Sequence, residues 1–267
     1  MKNLPYQPIQ FLKVTSQGSE LVESRIITEA NVSLTVNGEV WLSFRCTPID
    51  LKALAVGFLY NEGIIQKYDD IAIVRPCENS ENIDVWLHSP VEKPVHWWRT
   101  SGCDGGMTSE AAPIKAVIDP SEVMTTPLIL GIMDRLFEFQ NLYREVGGVH
   151  CSMITDGEEI LAIAEDIGRH NTLDKISGLI LLKSLPLGRR ILLTTGRISS
   201  DMLQKAVRMG ASIVISRTSP SSLSIDMAKG LGITLIGYAR RDQFNIYTNP
   251  DSFSQSDRLA TRWIGSP

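Results

Sequence analysis

The chain has 267 residues, of which 43% are hydrophobic and 21% charged, and it carries a net charge of −4. That length and apolar content suit one large core or two smaller ones and exclude a chain that is disordered throughout. The slight acidic surplus argues against a nucleic-acid polymer as partner, because such binders present a basic excess.

No apolar run approaches the ~20 residues of a membrane helix, and the opening MKNLPYQPIQ has no apolar secretion-signal core. The four cysteines, Cys46, Cys77, Cys103 and Cys151, lack C-x-x-C spacing. The expectation is a cytoplasmic protein with free thiols, no structural zinc and no membrane contact.

Residues 1–20 are polar and turn-rich and read as a loose arm. Val32, Leu34 and Val36 alternate with polar residues, Asn37-Gly38 supplies a turn, and Val40, Leu42 and Phe44 alternate again. This predicts a hairpin with one buried face. Thr47 then reads as a helix N-cap with Pro48 first in the helix, and Leu51, Leu54, Ala55, Phe58 and Leu59 recur at helical spacing up to Gly63. Runs at 71–74 and 83–87 read as strands. Residues 89–124 show little periodicity and contain the glycine-rich turn TSGCDGGM; long irregular stretches of this kind are often functional.

A helix is predicted over 127–141, then strands at 149–154 and 160–164 joined at Asp156-Gly157, then a helix over 171–185. Strand-like runs at 191–194, 213–216 and 233–238 follow, separated by helices opening near Ser199 and Ser219. That β-α-β-α-β series predicts an α/β fold with a mainly parallel sheet.

In such sheets ligands bind beyond the carboxyl ends of the strands. Here three consecutive strands end in Thr194-Thr195-Gly196-Arg197, Ser216-Arg217-Thr218-Ser219 and Tyr238-Ala239-Arg240-Arg241. Helix N-termini and arginine forks side by side would hold a phosphate or pyrophosphate. Helix caps and surface arginines are the better account of any one loop taken singly; three such ends on one edge favour the anion reading. No G-x-x-x-x-G-K-[ST] or G-x-G-x-x-G is present, so a generic kinase or dehydrogenase gains no support.

Cys103 lies in SGCDGG, where flanking glycines leave a thiol accessible. Arg99 would favour its thiolate and Asp104 would oppose it. The alternative is an idle cysteine in a surface turn. Cys46 and Cys151 read as core residues, and Cys77 as structural. The run EDIGRHNTLDK, 165–175, packs Glu165, Asp166, Arg169, His170, Asn171, Asp174 and Lys175 directly after a strand, with His150 opening the preceding hairpin. Two histidines suggest acid–base work or metal binding; a solvated helix start would look the same. The H-x-E and P-C-x-x-C signature of zinc deaminases is absent.

Several segments, in order, resemble the FdhD/NarQ family, the accessory sulfurtransferases of formate dehydrogenase. They are TPIDLKALAVGFLYNEGII (47–65), SGCDGG, GGVHCSMI (147–154), EDIGRHNTLDKISG (165–178), TTGRISSDMLQKAVRMG (194–210), SPSSLSIDMAKGLGITLIGYAR (219–240) and FNIYTN (244–249). The resemblance implies a larger cytidine-deaminase-like α/β domain without zinc, plus a smaller α+β domain, in a cytoplasmic homodimer. It implies that a cysteine desulfurase loads sulfur onto Cys103 as a persulfide. The sulfur then passes to the bis-molybdopterin guanine dinucleotide form of the molybdenum cofactor, destined for formate dehydrogenase.

Carried over, the cofactor-binding strand is Phe244, Asn245, Ile246, Tyr247, Thr248 and Asn249. Arg197, Arg217, Arg169 and His170 are the candidate groups around it, and no resident metal is expected. The corresponding division is an arm at 1–19, a strand and helix region with the Cys103 turn at 20–107, a linker at 108–126, the cofactor-binding α/β domain at 127–250, and a tail at 251–267. Many family members carry C-x-x-C in the loop; Gly106 stands at the second position here, so no resolving thiol is present. A guanine-nucleotide-binding regulatory module, or a cofactor-insertion chaperone without sulfur chemistry, are the competing readings.

Overall fold

The computed structural model describes residues 4–94, 98–99, 107–108, 124–185 and 188–253. The chain begins with a two-stranded antiparallel ribbon, β1 (Tyr6–Thr15) and β2 (Gly18–Ile27). A regular strand therefore stands where the sequence suggested a loose arm. Most of its side chains are exposed on both faces, so no burial alternation marked it.

A four-stranded sheet follows, built from β3 (Ala30–Val36), β4 (Glu39–Cys46), β5 (Ile71–Pro76) and β6 (Asn82–Leu87) in the order β4-β3-β6-β5. Val32, Leu34 and Val36 all point inward, as their alternation demands. In β4 the pattern breaks. The register jumps from Leu34↔Leu42 to Thr35↔Val40, so Trp41 is the extra residue of a bulge. Trp41 is buried and Val40 is 56% exposed, the reverse of what alternation predicts. The helix α1 (Leu51–Asn61) covers the inner face and buries Leu51, Leu54, Ala55, Phe58 and Leu59. Its cap is Asp50, in the left-handed region, and not Thr47, whose polar atoms are engaged elsewhere.

Short strands β7 (Trp98–Arg99) and β8 (Met107–Thr108) pair antiparallel. Then come α2 (Thr126–Glu138), capped by the Thr125 hydroxyl with Pro127 in its first turn, and α3 (Asn141–Val146).

The second half of the chain is a six-stranded sheet made of β9 (His150–Thr155), β10 (Ile160–Asp166), β11 (Ile191–Thr194), β12 (Ile213–Ser216), β13 (Thr234–Gly237) and β14 (Asn245–Ile246), in the order β10-β9-β11-β12-β13-β14. Only β11, β12 and β13 run parallel; β10, β9 and β14 pair antiparallel with their neighbours. The expectation of a mainly parallel sheet is corrected to a mixed one. The β9–β10 hairpin enters tightly on one side, and β14 returns along the opposite edge.

The helices α4 (Arg169–Leu182), α5 (Ser200–Arg208) and α6 (Ser222–Leu231) cover one face, packing on Ile154, Ala164, Leu192, Val214 and Leu235. On the other face α2 packs on Cys151, Met153, Leu193, Ile215 and Ile236. α5 is capped by Ser199, as read from the sequence. α6 opens at Ser222 with Ser221 as its cap, two residues beyond Ser219. The Ser219 carbonyl accepts the Ile198 N–H at 3.2 Å, and Ser221 N–H returns to the Ile198 carbonyl at 2.9 Å. Those residues tie two loops together before the helix can begin.

Among the described residues, no helix is long and apolar enough to cross a membrane.

Candidate anion-binding site at the strand ends

Because β9 is antiparallel to β11, its first residue, His150, lies beside the carboxyl ends of β11, β12 and β13. Its Nδ1 is 3.2 Å from the Thr195 hydroxyl, which also accepts the Cys151 N–H at 3.0 Å. One strand inward, the Ser152 hydroxyl donates to Thr194 Oγ1 at 2.9 Å and lies 2.6 Å from Thr172 Oγ1. Thr172 in turn donates to the Arg169 carbonyl at 2.7 Å. This hydroxyl chain fixes the first turn of α4 over the ends of β9 and β11.

That turn carries Arg169 and His170, both buried. A Cβ on Gly196 would stand 2.8 Å from Arg169 Cβ, so the glycine is what lets the Arg169 stem cross the end of β11. Among the described residues neither nitrogen of the His170 ring meets a hydrogen-bond partner. A buried polar group left open in this way is costly unless a ligand satisfies it. Burial, then the charges of Lys205, Arg169 and the His150 ring, hold the His170 pKa well below the ordinary 6.5. Burial and Arg169 lower that of His150, against the opposing pull of Asp166. Two neutral imidazoles thus share a corner with a guanidinium and a helix N-terminus. The arrangement can receive an anion and gain protons as it does so.

The acids of the same run have structural partners. Glu165 accepts the Leu142 and Tyr143 N–H groups at 2.8 and 2.9 Å, capping α3. Asp166 and Lys175 form a fully buried pair at 2.7 Å. Behind α4, Lys205 pairs with Asp174 at 2.6 Å, and Asn61 Nδ2 donates to the same carboxylate at 2.7 Å. None of these partners was read from the sequence. In the sequence, the run 165–175 that holds Asp174 and Lys175 fits a solvated face as well as a cleft. The available signal was that α4 has no apolar stripe wide enough to leave a polar one.

The three arginine-bearing loops are neighbours along the edge, yet they do not form one cradle. Arg217 is exposed and stacks over the Phe137 ring at 5.8 Å, as Arg241 also does. Phe137 belongs to α2, so these cations flank the face opposite Arg169 and His170. Arg197 and Arg240 are exposed.

The segment 244–249 runs away from the strand ends. Asn245, opposite Gly237, is exposed near them, and Ile246 pairs with Ile236. The Tyr247 ring packs against Gly237. Phe244 packs on Phe253. Thr248 donates to the Ile233 carbonyl at 2.6 Å, and Asn249 follows in the left-handed region.

Cys103 lies outside the described residues, in the stretch of chain between β7 and β8. Of the other cysteines, Cys46 and Cys151 are sealed in the core and Cys77 is exposed. Burial, reinforced by Asp166, pushes the Cys46 thiol up to about 12, and burial raises Cys151 as well. Among the described residues no group of three or more His, Cys, Asp and Glu side chains is placed to hold a metal ion.

A model of the FdhD/NarQ family matches residues 27–254. The chain belongs to the FdhD/NarQ family. It is 32% identical over 241 residues to the sulfur carrier protein FdhD of Staphylococcus aureus strain bovine RF122 / ET3-1, across 87% of this chain and 90% of that one. The same protein from strain JH9 matches equally well. A crystal structure from Desulfotalea psychrophila, assigned as a formate dehydrogenase accessory protein, superposes with a TM-score of 0.76 at 26% identity. That match covers 94% of this chain and all of the other. The FdhD/NarQ match takes in both sheets, and the corner formed by His150, Arg169 and His170 lies within it.

Proposed function

We propose that this chain is a sulfur carrier serving formate dehydrogenase. It would take sulfur from a cysteine desulfurase as a persulfide on Cys103 and pass it to a molybdenum cofactor bearing guanine dinucleotides. The relatives named sulfur carrier protein and formate dehydrogenase accessory protein support the role. The observation that carries the cofactor half is the strand-end corner, where an open buried imidazole, a second histidine and Arg169 share a helix N-terminus. A phosphorylated substrate would meet a guanidinium and a helix N-terminus there, with Asp166 and Asp201 as the nearby opposing charges.

The loading step is a thiol exchange. The Cys103 thiolate attacks the outer sulfur of the donor persulfide, the donor S–S bond breaks, and the donor cysteine leaves as thiolate. Two sealed thiols, Cys46 and Cys151, are poor candidates for that attack. His170 and His150 orient the substrate and take up protons as its charge arrives.

The strand order, with an antiparallel hairpin ahead of three parallel strands, supports a cytidine-deaminase-like larger domain. A cytoplasmic homodimer completes the reading.

The test is transfer of labelled sulfur from a desulfurase to wild type, Cys103→Ala and Cys77→Ala. Label on wild type and Cys77→Ala alone is expected. Equal label on Cys103→Ala would remove Cys103 from the reaction. Active dehydrogenase with Cys103→Ser would favour a chaperone that only docks the cofactor.

A further inference from the structure

The loop that delivers Arg169 and His170 is held from two sides, by Asn171 and Lys175 of α4 and by Thr47 ahead of α1. α4 begins at Gly168 with no side-chain cap. What fixes it is a polar junction with the corner where β4 turns toward α1. Asp166, fully buried, accepts four hydrogen bonds. Its Oδ1 takes the Gly168 N–H and the Asn171 side-chain amide, both at 2.8 Å. Its Oδ2 takes the Thr47 N–H at 3.1 Å and Lys175 Nζ at 2.7 Å. Thr47 answers from its side of the junction. Its hydroxyl accepts the Ile167 N–H at 3.2 Å, and its carbonyl accepts Lys175 Nζ at 3.1 Å.

Asn171 is the member that reaches furthest. Its Nδ2 donates both to Asp166 Oδ1 and to the Arg45 carbonyl of β4, each at 2.8 Å. A Cβ on residue 168 would meet that amide at 2.9 Å, so Gly168 leaves the space it occupies. Asn171 sits on the third residue of α4, one after His170, and is only half-buried. It is thus bonded at once to an edge strand of the N-terminal sheet and to the carboxylate that shapes the anion-facing loop.

We propose that Asn171 is a positioning residue: it sets the Arg169–His170 turn against the N-terminal sheet, and so fixes how that turn meets an anionic ligand. This rests on the reading of the strand-end corner as an anion site. Asn171 touches no reacting atom in this scheme; its effect passes through Asp166 and the loop. Asp166 and Lys175 would be poorer probes, because removing either strands a buried charge. Taking away the Asn171 amide leaves that pair intact.

The experiment is binding of inorganic pyrophosphate to the full-length protein, followed together with the His170 imidazole resonances, for wild type, Arg169→Ala and Asn171→Ala. Wild type should bind, with the His170 resonances shifting on saturation, and Arg169→Ala should bind far more weakly. Asn171→Ala should bind about tenfold more weakly, the loss of about 1.4 kcal/mol that a misaligned contact brings. Its His170 resonances should already be displaced before ligand is added. If Asn171→Ala does not fold, Asn171→Ser, with a single hydroxyl donor, is read in the same way. Unchanged affinity and unchanged His170 resonances, with at most a lower Tm, would make Asn171 a structural tie and overturn the proposal while leaving the anion site standing. Wild type that neither binds pyrophosphate nor moves His170 would sink the anion site and this proposal with it.

Discussion

Gly57 of α1 and Gly178 of α4 meet backbone to backbone. A Cβ on Gly57 would stand 2.5 Å from the Gly178 nitrogen and 1.7 Å from the Asp174 carbonyl oxygen, and one on Gly178 would lie 1.9 Å from the Ala53 carbonyl oxygen. No side-chain rotation relieves a clash with backbone. Gly57→Ala or Gly178→Ala should therefore force the helices apart and cost more than about 3 kcal/mol. Urea unfolding measures this, and a loss below 1 kcal/mol would mean that the helices separate easily.

The Asp166–Lys175 pair offers a second test. Lys175 Nζ is fully buried and donates to Asp166 and to the Thr47 and Glu165 carbonyls. Lys175→Met removes the cation and leaves the carboxylate inside, which should cost about 3–5 kcal/mol. A variant as stable as wild type would show that water reaches Asp166.

The cysteines should differ sharply toward an alkylating reagent at mildly alkaline pH. Cys77 is exposed and should be labelled in the native protein, whereas Cys46 and Cys151 should react only after denaturation. Peptide mass spectrometry counts the modified sites. Native labelling of Cys46 would contradict a thiol raised to about 12.

Stability should also depend on pH through His170. Its pKa is depressed by burial and neighbouring cations, so the unfolded chain protonates this ring near 6.5 while the folded chain does not. The unfolded state then binds more protons in the window below 6.5, and stability falls as pH drops through it. His150 acts with the same sign. His170→Gln should flatten the slope between pH 7.5 and 5.5. Parallel curves for wild type and variant would assign the acid sensitivity elsewhere.

Much of the scaffold was legible in the sequence. The parallel core strands announced themselves as short apolar runs, and Ser199 marked the start of α5. Other features depended on partners distant in the chain. Thr47 looks like a helix cap until Asp166 and Lys175 are brought against it from 119 and 128 residues away. Trp41 changed faces because a bulge inserts one residue, which periodicity cannot register. The order of the strands puts the arginine-bearing loops along one edge, but the split of Arg217 from Arg169 across two faces depends on the position of α2. Of the candidate groups, His170 was found for its company in EDIGRHN, whereas its burial and its open nitrogens belong to the folded molecule alone.

The knot around Thr47 also bears on what must remain covalent. The N-terminal sheet and the strand-end loop are held to each other by buried hydrogen bonds at Thr47 and by the crossing of α1 and α4, both made by residues outside the connecting stretch between β8 and α2. Severing the polypeptide in that connection should leave two fragments that copurify, and a nicked molecule should still present Arg169 and His170 as the intact one does.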